Sequence, residues 1–526
     1  MIGCGRMSKQ AGIAALSLKT LPPVLSGIRS ASSWVLLAAV VVAGWASCAL
    51  HGPAPRVEHP NVLFIAVDDL TVALGSYGAY PTARTPNIDR LAAEGVRFER
   101  AYAQDPLCNP SRTSFLSGLR PATTHVWGNF VEPRHRIGDA LMLPEYFRSH
   151  GYFTARVGKI AHGRYEGAVS WDISDNAVRR EHYLPGVDRS QVRDNSWIEG
   201  AADGLSRAEI LGHLGRPTGM PLTWRATDET EDQTPDGQTT RRVIEIMREH
   251  RDRPFFIGTG YHKPHQPWVA PASFFEQHPV EAVQLPAGPP DDTEDIPAPA
   301  LGGYPEDPEH SEDQKRQAIA AYHATVTLID VQVGLLLEAL NELGLDRTTI
   351  VVFVSDHGFH LAEHGGLWRK HTQFEESTRV PLIVRLPGGV AGKATPALVE
   401  LVDLYPTLAD LCGLPVPAHL EGTSFRRVLA DPGITWKKAA FSEVKRNGAH
   451  GRSIRTARHR YTEWAPLQGD GPVEFELYDT ERDPKEYDNL AVLPGHEVTL
   501  SALKGMLEAG WRAALPASPG HGGAGD

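Results

Sequence analysis

The chain has 526 residues, 41% hydrophobic and 22% charged, the composition of an ordinary globular protein able to bury a large core. Its formal net charge of −12, from 52 basic and 64 acidic residues, excludes a general nucleic-acid binder and a basic membrane-surface protein, so an anionic ligand would need cations supplied locally. The four cysteines, at 4, 48, 108 and 412, are too scattered for a disulfide framework or a zinc-finger spacing.

Trp34 to Gly44 is an apolar run preceded by Lys19 and Arg29 and followed by Ala46-Ser47-Cys48-Ala49, the order of an export signal's charged, apolar and small-residue regions. It is short for a transmembrane helix. Export to a bacterial periplasm or cell envelope is expected. Cys48 resembles the acylated cysteine of lipoproteins and would attach the N-terminus to a membrane. A plain cleaved signal, an uncleaved anchor and a start at Met7 stay open. The expected organisation is a leader (1–50), a linker (51–60), a catalytic domain (61–422), a C-terminal subdomain (423–514) and a disordered tail (515–526).

Asn61 to Val67 is an unbroken apolar run, as in a strand buried on both faces, and it ends in Asp68-Asp69. A helix opens at Thr85-Pro86, passes Leu91 and Glu94 and stops at Gly95. From Cys108 to Pro121 a lone thiol precedes a proline, an arginine and a short apolar turn. Cys108 is therefore predicted at a helix N-terminus, where unpaired N–H groups favour a sulfate or phosphate ester. Three further apolar runs end in useful chemistry. Tyr152 to Val157 leads to Lys159 and His162, Pro254 to Thr259 leads to His262-Lys263-Pro264-His265, and Thr349 to Val354 leads to Ser355-Asp356-His357-Gly358. Gln317 to Leu343 reads as a long helix ending at Gly344, and Cys412 closes an apolar helical run as a small buried hydrophobe.

Alternating strands and helices give the α/β class: a large mixed, mostly parallel sheet flanked by helices. Two irregular stretches, Gly163 to about Asp236 and Pro286 to Asp313, are expected to cover the site. From about Thr423 short strands, including Ser453 to Ala457, Arg460 to Trp464 and Glu474 to Tyr478, predict a smaller antiparallel sheet closed by a helix near Val498 to Ala513.

Ligands of open α/β sheets bind outside the strands' carboxyl ends, so these termini predict one pocket. Asp68, Asp69 and Asp356 carry the carboxylate oxygens that a hard cation such as calcium or magnesium selects. Arg112, Lys159, His162, His262 and Lys370 are the local cations and proton donors for an anionic ester. His360 and His364 stand at i, i+4, but no glutamate takes the His-Glu-x-x-His position and Gly365-Gly366 ends any helix. A zinc hydrolase is not expected.

Cys108-Asn-Pro-Ser-Arg112, followed by Leu116-Ser-Gly118, resembles the sulfatase signature, in which the cysteine is oxidised after translation to formylglycine. The resemblance runs from Asn61 to about Leu490 and takes in Val157-Gly-Lys-Ile-Ala-His162, Gly260-Tyr-His-Lys-Pro-His265, Ser355-Asp-His-Gly358 and Glu476-Leu-Tyr-Asp-Thr-Glu-Arg-Asp-Pro484. The Tyr-His-Lys-Pro-His and Asp356-His357 pieces are most similar to the iduronate-2-sulfatase branch. Ser117 departs conservatively from the usual threonine.

The resemblance implies that Asp68, Asp69, Asp356, His357 and the modified Cys108 bind one calcium ion. Arg112 and Lys159 would steady the formylglycine and sulfate. His162, His262 and Lys370 would contact sulfate or move protons, with His262 protonating the leaving sugar oxygen and His162 serving as second base. It also implies a sulfated carbohydrate substrate, a 2-O-sulfated hexuronate being one candidate, and a formylglycine-generating maturation enzyme as partner. The competing functions are a phosphate or phosphonate monoester hydrolase on the same scaffold, and a non-catalytic glycan-binding protein whose Cys108 is never oxidised.

Overall fold

In a computed structural model of the chain, residues 59–176, 222, 224–301 and 310–516 are described. The expected leader with Cys48, all but the end of the linker, the tail from 517 and most of the stretch between Gly163 and the middle 220s lie outside these residues.

An eight-stranded sheet is built from β1 (Asn61–Asp68), β2 (Val96–Tyr102), β3 (Phe153–Gly158), β4 (Ile173–Asp175), β6 (Phe255–Pro264), β8 (Thr349–Ser355), β9 (Arg379–Arg385) and β10 (Lys393–Glu400). Its order is β10-β2-β9-β8-β1-β6-β3-β4. β5 (Trp224–Thr227) and β7 (Trp268–Pro271) form a separate parallel pair. β1 lies centrally, parallel to β6 on one side and β8 on the other, and all eight of its residues are buried.

Successive side chains of a strand point to opposite faces, and both faces of β1 are covered. Leu63, Ile65 and Val67 pack in one core with Ile88, Leu91, Val243, Ile246, Ile329 and Val333. Those partners belong to the helices Pro86–Glu94, Pro235–Glu249 and Glu312–Glu342. Val62, Phe64 and Ala66 pack in the other core with Phe115, Leu116, Phe147, Leu404 and Leu408, from the helices Cys108–Ser117, Leu143–Ser149 and Leu404–Leu411. Truncating Ile65 to alanine would cost about 2–5 kcal/mol through lost contacts and a residual cavity.

The C-terminal sheet is antiparallel, β11 (Ala439–Arg446), β12 (Ala449–Thr456), β13 (His459–Pro466) and β14 (Glu474–Asp479) in that order. The helix Glu497–Ala509 places Leu503 and Leu507 on it, against Phe441, Ile454, Tyr461 and Leu477.

The structure departs from the sequence expectation in several elements. β2 and β10 carry charged or polar residues within their strands and gave no unbroken apolar signal; the apolar run of β9 contains Pro381, which argues against an interior strand, and β9 runs antiparallel to both neighbours. The long helix starts at Glu312 rather than Gln317, because Ser311 and Gln314 form a reciprocal capping box. β6 continues to Pro264, past the predicted end at Thr259, through an irregularity in which Val67 pairs with Tyr261 but Asp68 with Pro264. Asp236 is already helical, since the Thr234 hydroxyl accepts from Gly237 N at 3.1 Å and starts the helix at Pro235.

Candidate active site

The carboxyl ends of β1, β3, β6 and β8 bring the charged residues together. Asp69, directly after β1, adopts φ 61°, a left-handed conformation that aspartate tolerates. Its backbone is fixed from two sides. The Tyr322 hydroxyl donates to Asp69 O at 2.8 Å, and Asp69 N donates to Asp356 Oδ1 at 3.3 Å. Gly158 ends β3 at φ 78°, where a Cβ would stand 2.1 Å from Gly260 O; only glycine allows this close crossing, which delivers Lys159 to the pocket.

Cys108 is the first residue of its helix, every residue of which is buried, and Gly118 closes the helix at φ 69°. The Asn109 side chain donates to Gly128 O and Val131 O, both at 2.8 Å, anchoring the first turn. One turn on, Arg112 is 1% exposed and engaged on several sides. Its Nε donates to Asp356 Oδ2 at 2.7 Å, Nη1 to Lys159 O at 2.6 Å and to Ile160 O at 3.2 Å, and Nη2 approaches Asp68 Oδ1 at 3.4 Å.

Lys159 Nζ pairs with Asp68 Oδ2. Lys370 Nζ donates to Asp69 Oδ1 at 2.5 Å and lies 3.4 Å from Cys108 Sγ. His357 Nε2 lies 3.3 Å from the same sulfur, 3.5 Å from Asp69 Oδ1 and 3.6 Å from Asp356 Oδ2. Its Nδ1 faces Gly358 O at 2.9 Å; a carbonyl only accepts, so Nδ1 keeps a proton and Nε2 is the nitrogen turned into the pocket.

Donor atoms of Asp68, Cys108, Asp356 and His357 lie within 4.8 Å of one another, as do those of Asp68, Asp69, Cys108 and His265. Three carboxylates so close together, with a histidine nitrogen that would ligate once it loses its proton, fit a divalent cation, and the oxygen donors suit calcium or magnesium, with Lys159, Lys370 and Arg112 balancing the charge in its place.

The surroundings set the titration of each group. Burial would raise Asp68, but Lys159, His265, Arg112 and Lys370 together hold its carboxyl well below the usual range. Asp356 is raised to about 6 by burial, against the pull of Arg112. Burial and Asp68 push the Cys108 thiol up, yet Lys159, Lys370 and His357 bring it well below its ordinary value. His357, which burial alone would lower, is raised to about 9 by Asp356 and the Cys108 sulfur. Burial lowers His162 and, with Lys159, lowers His262 well below its ordinary value, leaving both imidazoles neutral.

Asp68, Asp69, Cys108, Arg112, Lys159, Asp356, His357 and Lys370 meet through the contacts above. His162 hydrogen-bonds the Cys108 side chain and feels Lys159 and Asp68, and His262 feels Lys159 and Asp68. Two participants were not singled out. His265 places Nε2 3.9 Å from Asp69 Oδ2, and its Nδ1 faces Gln266 O at 2.6 Å. Asp236 accepts from the backbone of His262 at 2.9 Å and of Lys263 at 3.2 Å, fixing the segment that carries both histidines. The two histidines of Tyr-His-Lys-Pro-His look alike in sequence, and Asp236 reads there as a helix-start residue.

Residues 60–414 match the family model described as "Sulfatase", and residues 362–511 match that described as "N-sulphoglucosamine sulphohydrolase, C-terminal". A sulfatase of Formosa agariphila is 33% identical over 467 residues, spanning 86% of this chain and 87% of its own length. The iduronate 2-sulfatase of Homo sapiens is 32% identical over 518 residues, spanning 82% and 90%. Among solved structures, a phosphonate monoester hydrolase of Silicibacter pomeroyi aligns with a TM-score of 0.70 at 23% identity, covering 87% of this chain and 96% of that one, a likeness of fold.

Proposed function

This chain belongs to the sulfatase family, and from that premise we propose that it removes sulfate from a sulfated glycan, with Cys108 oxidised to formylglycine beside a bound calcium ion. The observation that carries the reading is the placement of Cys108 at a buried helix start, its sulfur 3.3 Å from His357 Nε2 and 3.4 Å from Lys370 Nζ, in the middle of two candidate ligand sets. The name of the human relative supports a 2-O-sulfated hexuronate as the sugar. The leader supports export, where extracellular glycans are met.

Asp68, Asp69, Asp356, His357 and the oxidised residue 108 would hold the calcium ion, which supplies positive charge to the sulfate oxygens. The hydrated aldehyde at residue 108 would supply one hydroxyl as nucleophile toward sulfur and a second through which sulfate could be released as the aldehyde reforms. Arg112, engaged by Asp356, Asp68 and two carbonyls, is a positioning residue that fixes those carboxylates. Lys159 and Lys370, each paired with one carboxylate, are the cations left to meet sulfate once those carboxylates ligate a metal ion. His262 takes the leaving-group acid role when the anionic ester enters and draws its depressed pKa upward; His162, beside residue 108, takes the base role.

The test is a panel of defined sulfated mono- and disaccharides, aryl sulfates, and phosphate and phosphonate monoesters, run with enzyme whose residue 108 is shown by peptide mass spectrometry to be an aldehyde or its hydrate. Highest kcat/KM on a sulfated sugar supports the reading. Fastest turnover of phosphonate monoesters would favour the reaction named for the Silicibacter neighbour, and an active preparation with an intact Cys108 thiol would remove the formylglycine step.

A further inference from the structure

A second cluster of ligand-type side chains lies away from Cys108, and the proposed hydrolysis makes no use of it. His360, His364 and Glu376 are 0%, 2% and 7% exposed, and one donor atom of each lies within 4.8 Å of the others. The histidines do not meet through a helix. They sit in a turn after β8 in which Ala362 and His364 adopt φ 76° and 48°, and their rings stand 5.7 Å apart at 78°.

The outer atoms of His360 and Glu376 are held by hydrogen bonds, and their inner ones are not. His360 Nε2 meets Thr372 Oγ1 at 2.8 Å, leaving Nδ1 buried without a hydrogen-bond partner. Glu376 Oε1 accepts from Lys485 Nζ at 3.2 Å, leaving Oε2 without one. His364 stacks on Phe374 with centroids 3.9 Å apart, its Nδ1 3.4 Å from Asp292 Oδ2 and its Nε2 3.6 Å from Glu376 Oε2. Neither contact has hydrogen-bond geometry, and neither Asp292 oxygen is hydrogen-bonded. Buried polar atoms are rarely left in this state without a ligand or ion.

We propose that His360 Nδ1, His364 Nε2 and Glu376 Oε2 form a second metal centre, for a borderline first-row divalent ion such as zinc. Two imidazole nitrogens and one carboxylate suit that class better than calcium. Thr372 and Lys485 hold the far sides of His360 and Glu376, and Asp292 faces the far nitrogen of His364 at 3.4 Å, the places that outer partners of metal-bound histidines and carboxylates take. The centre is too enclosed to admit a substrate and is structural. Glu376 lies on the short helix Glu375–Thr378 and the histidines follow β8, so an ion would tie together the two ends of the loop that presents Lys370 to Asp69. The assignment does not rest on the hydrolase reading.

The competing arrangement is an imidazolium at His364 between two carboxylates. Burial alone would lower that histidine, but Asp292 and Glu376 raise it to about 10. The two are separated by titrating full-length, chelator-treated protein with Co(II) and then displacing it with Zn(II). Because Cys108 could itself take a soft ion, the titration is repeated in Cys108→Ser. One equivalent of Co(II) with intense low-coordinate visible bands, retained in Cys108→Ser and weakened at least 100-fold in His360→Ala and Glu376→Gln, is expected. Asp292→Asn should weaken binding about 10-fold. No uptake by wild type, or uptake lost in Cys108→Ser, overturns the proposal. Should the cluster variants fail to fold, X-ray absorption of the zinc-loaded Cys108→Ser protein decides: a nitrogen and oxygen shell with two imidazoles supports the centre, and any shell without imidazole overturns it.

Discussion

Two buried cysteines, both 0% exposed, sit in opposite surroundings. Cys108 opens a helix, where the backbone dipole favours an anion, and has Lys370, Lys159 and His357 for neighbours; its thiol is brought well below its ordinary value. Cys412 caps the C-terminal end of the helix Leu404–Leu411, where the dipole opposes an anion, and lies in the core with Leu408, Leu414 and Tyr152. Burial pushes its thiol up to about 12. Equal burial thus gives opposite chemistry, because the neighbours decide which protonation state the interior tolerates.

The widest separation between the two sites should appear in activity. Cys108→Ala is expected to lower sulfate-ester kcat/KM by at least about 10⁴-fold, since it removes the proposed nucleophile, whereas Cys412→Ala should stay within about twofold of wild type. Equal losses in both variants would mean that Cys108 acts only through the fold. Removing calcium by chelation and dialysis should cost about 10³-fold, restored by calcium, without moving the thermal midpoint of Cys412→Ala relative to wild type. Lys370→Ala should lower kcat about 10²-fold, the usual cost of deleting one charge-stabilising donor, and Lys370→Arg should recover part of it.

The sequence legibility of these sites follows the same contrast. Strands β1, β3, β6 and β8 were readable because burial on both faces demands unbroken apolar runs. Their polar ends marked one pocket because parallel strands present their carboxyl ends on one side. β2 stayed hidden because Arg97, Glu99 and Arg100 interrupt it, and β9 because Pro381 sits inside its short apolar run and reads against an interior strand. His265 and Asp236 stayed hidden because their roles depend on the irregular end of β6, and no local pattern specifies where a strand will bulge. The His360 cluster was visible as spacing but misleading as geometry. The histidines converge through a left-handed turn, and Glu376, twelve residues beyond His364, arrives only by folding.

The smallest expected effect probes Cys412 directly, through alkaline stability. Cys412→Ala itself should cost about 1 kcal/mol in lost packing. Below pH 9 the thiol is neutral in both folded and unfolded chains. Above it the unfolded chain ionises while the folded one, with its thiol held near 12, does not, so stability falls as pH rises through this window. Between pH 9 and 10.5 that loss amounts to about 2 kcal/mol from this one group. Buried tyrosines contribute in the same direction, among them Tyr77, raised to about 12 by burial, so the wild-type slope alone is not diagnostic. The difference between wild type and Cys412→Ala is diagnostic of the Cys412–Tyr152 pair: Tyr152 keeps its hydrogen bond to Pro60 O at 3.2 Å, and the part of its upward shift that Cys412 adds to burial is lost with the thiol, in the same direction. Denaturant melts of the two proteins should therefore converge and then cross before pH 10.5, the alanine variant starting about 1 kcal/mol less stable and losing about 2 kcal/mol less. Parallel curves would mean that the fold does not hold the Cys412 thiol neutral, and the contrast with Cys108 would then lie in access to the pocket rather than in electrostatics.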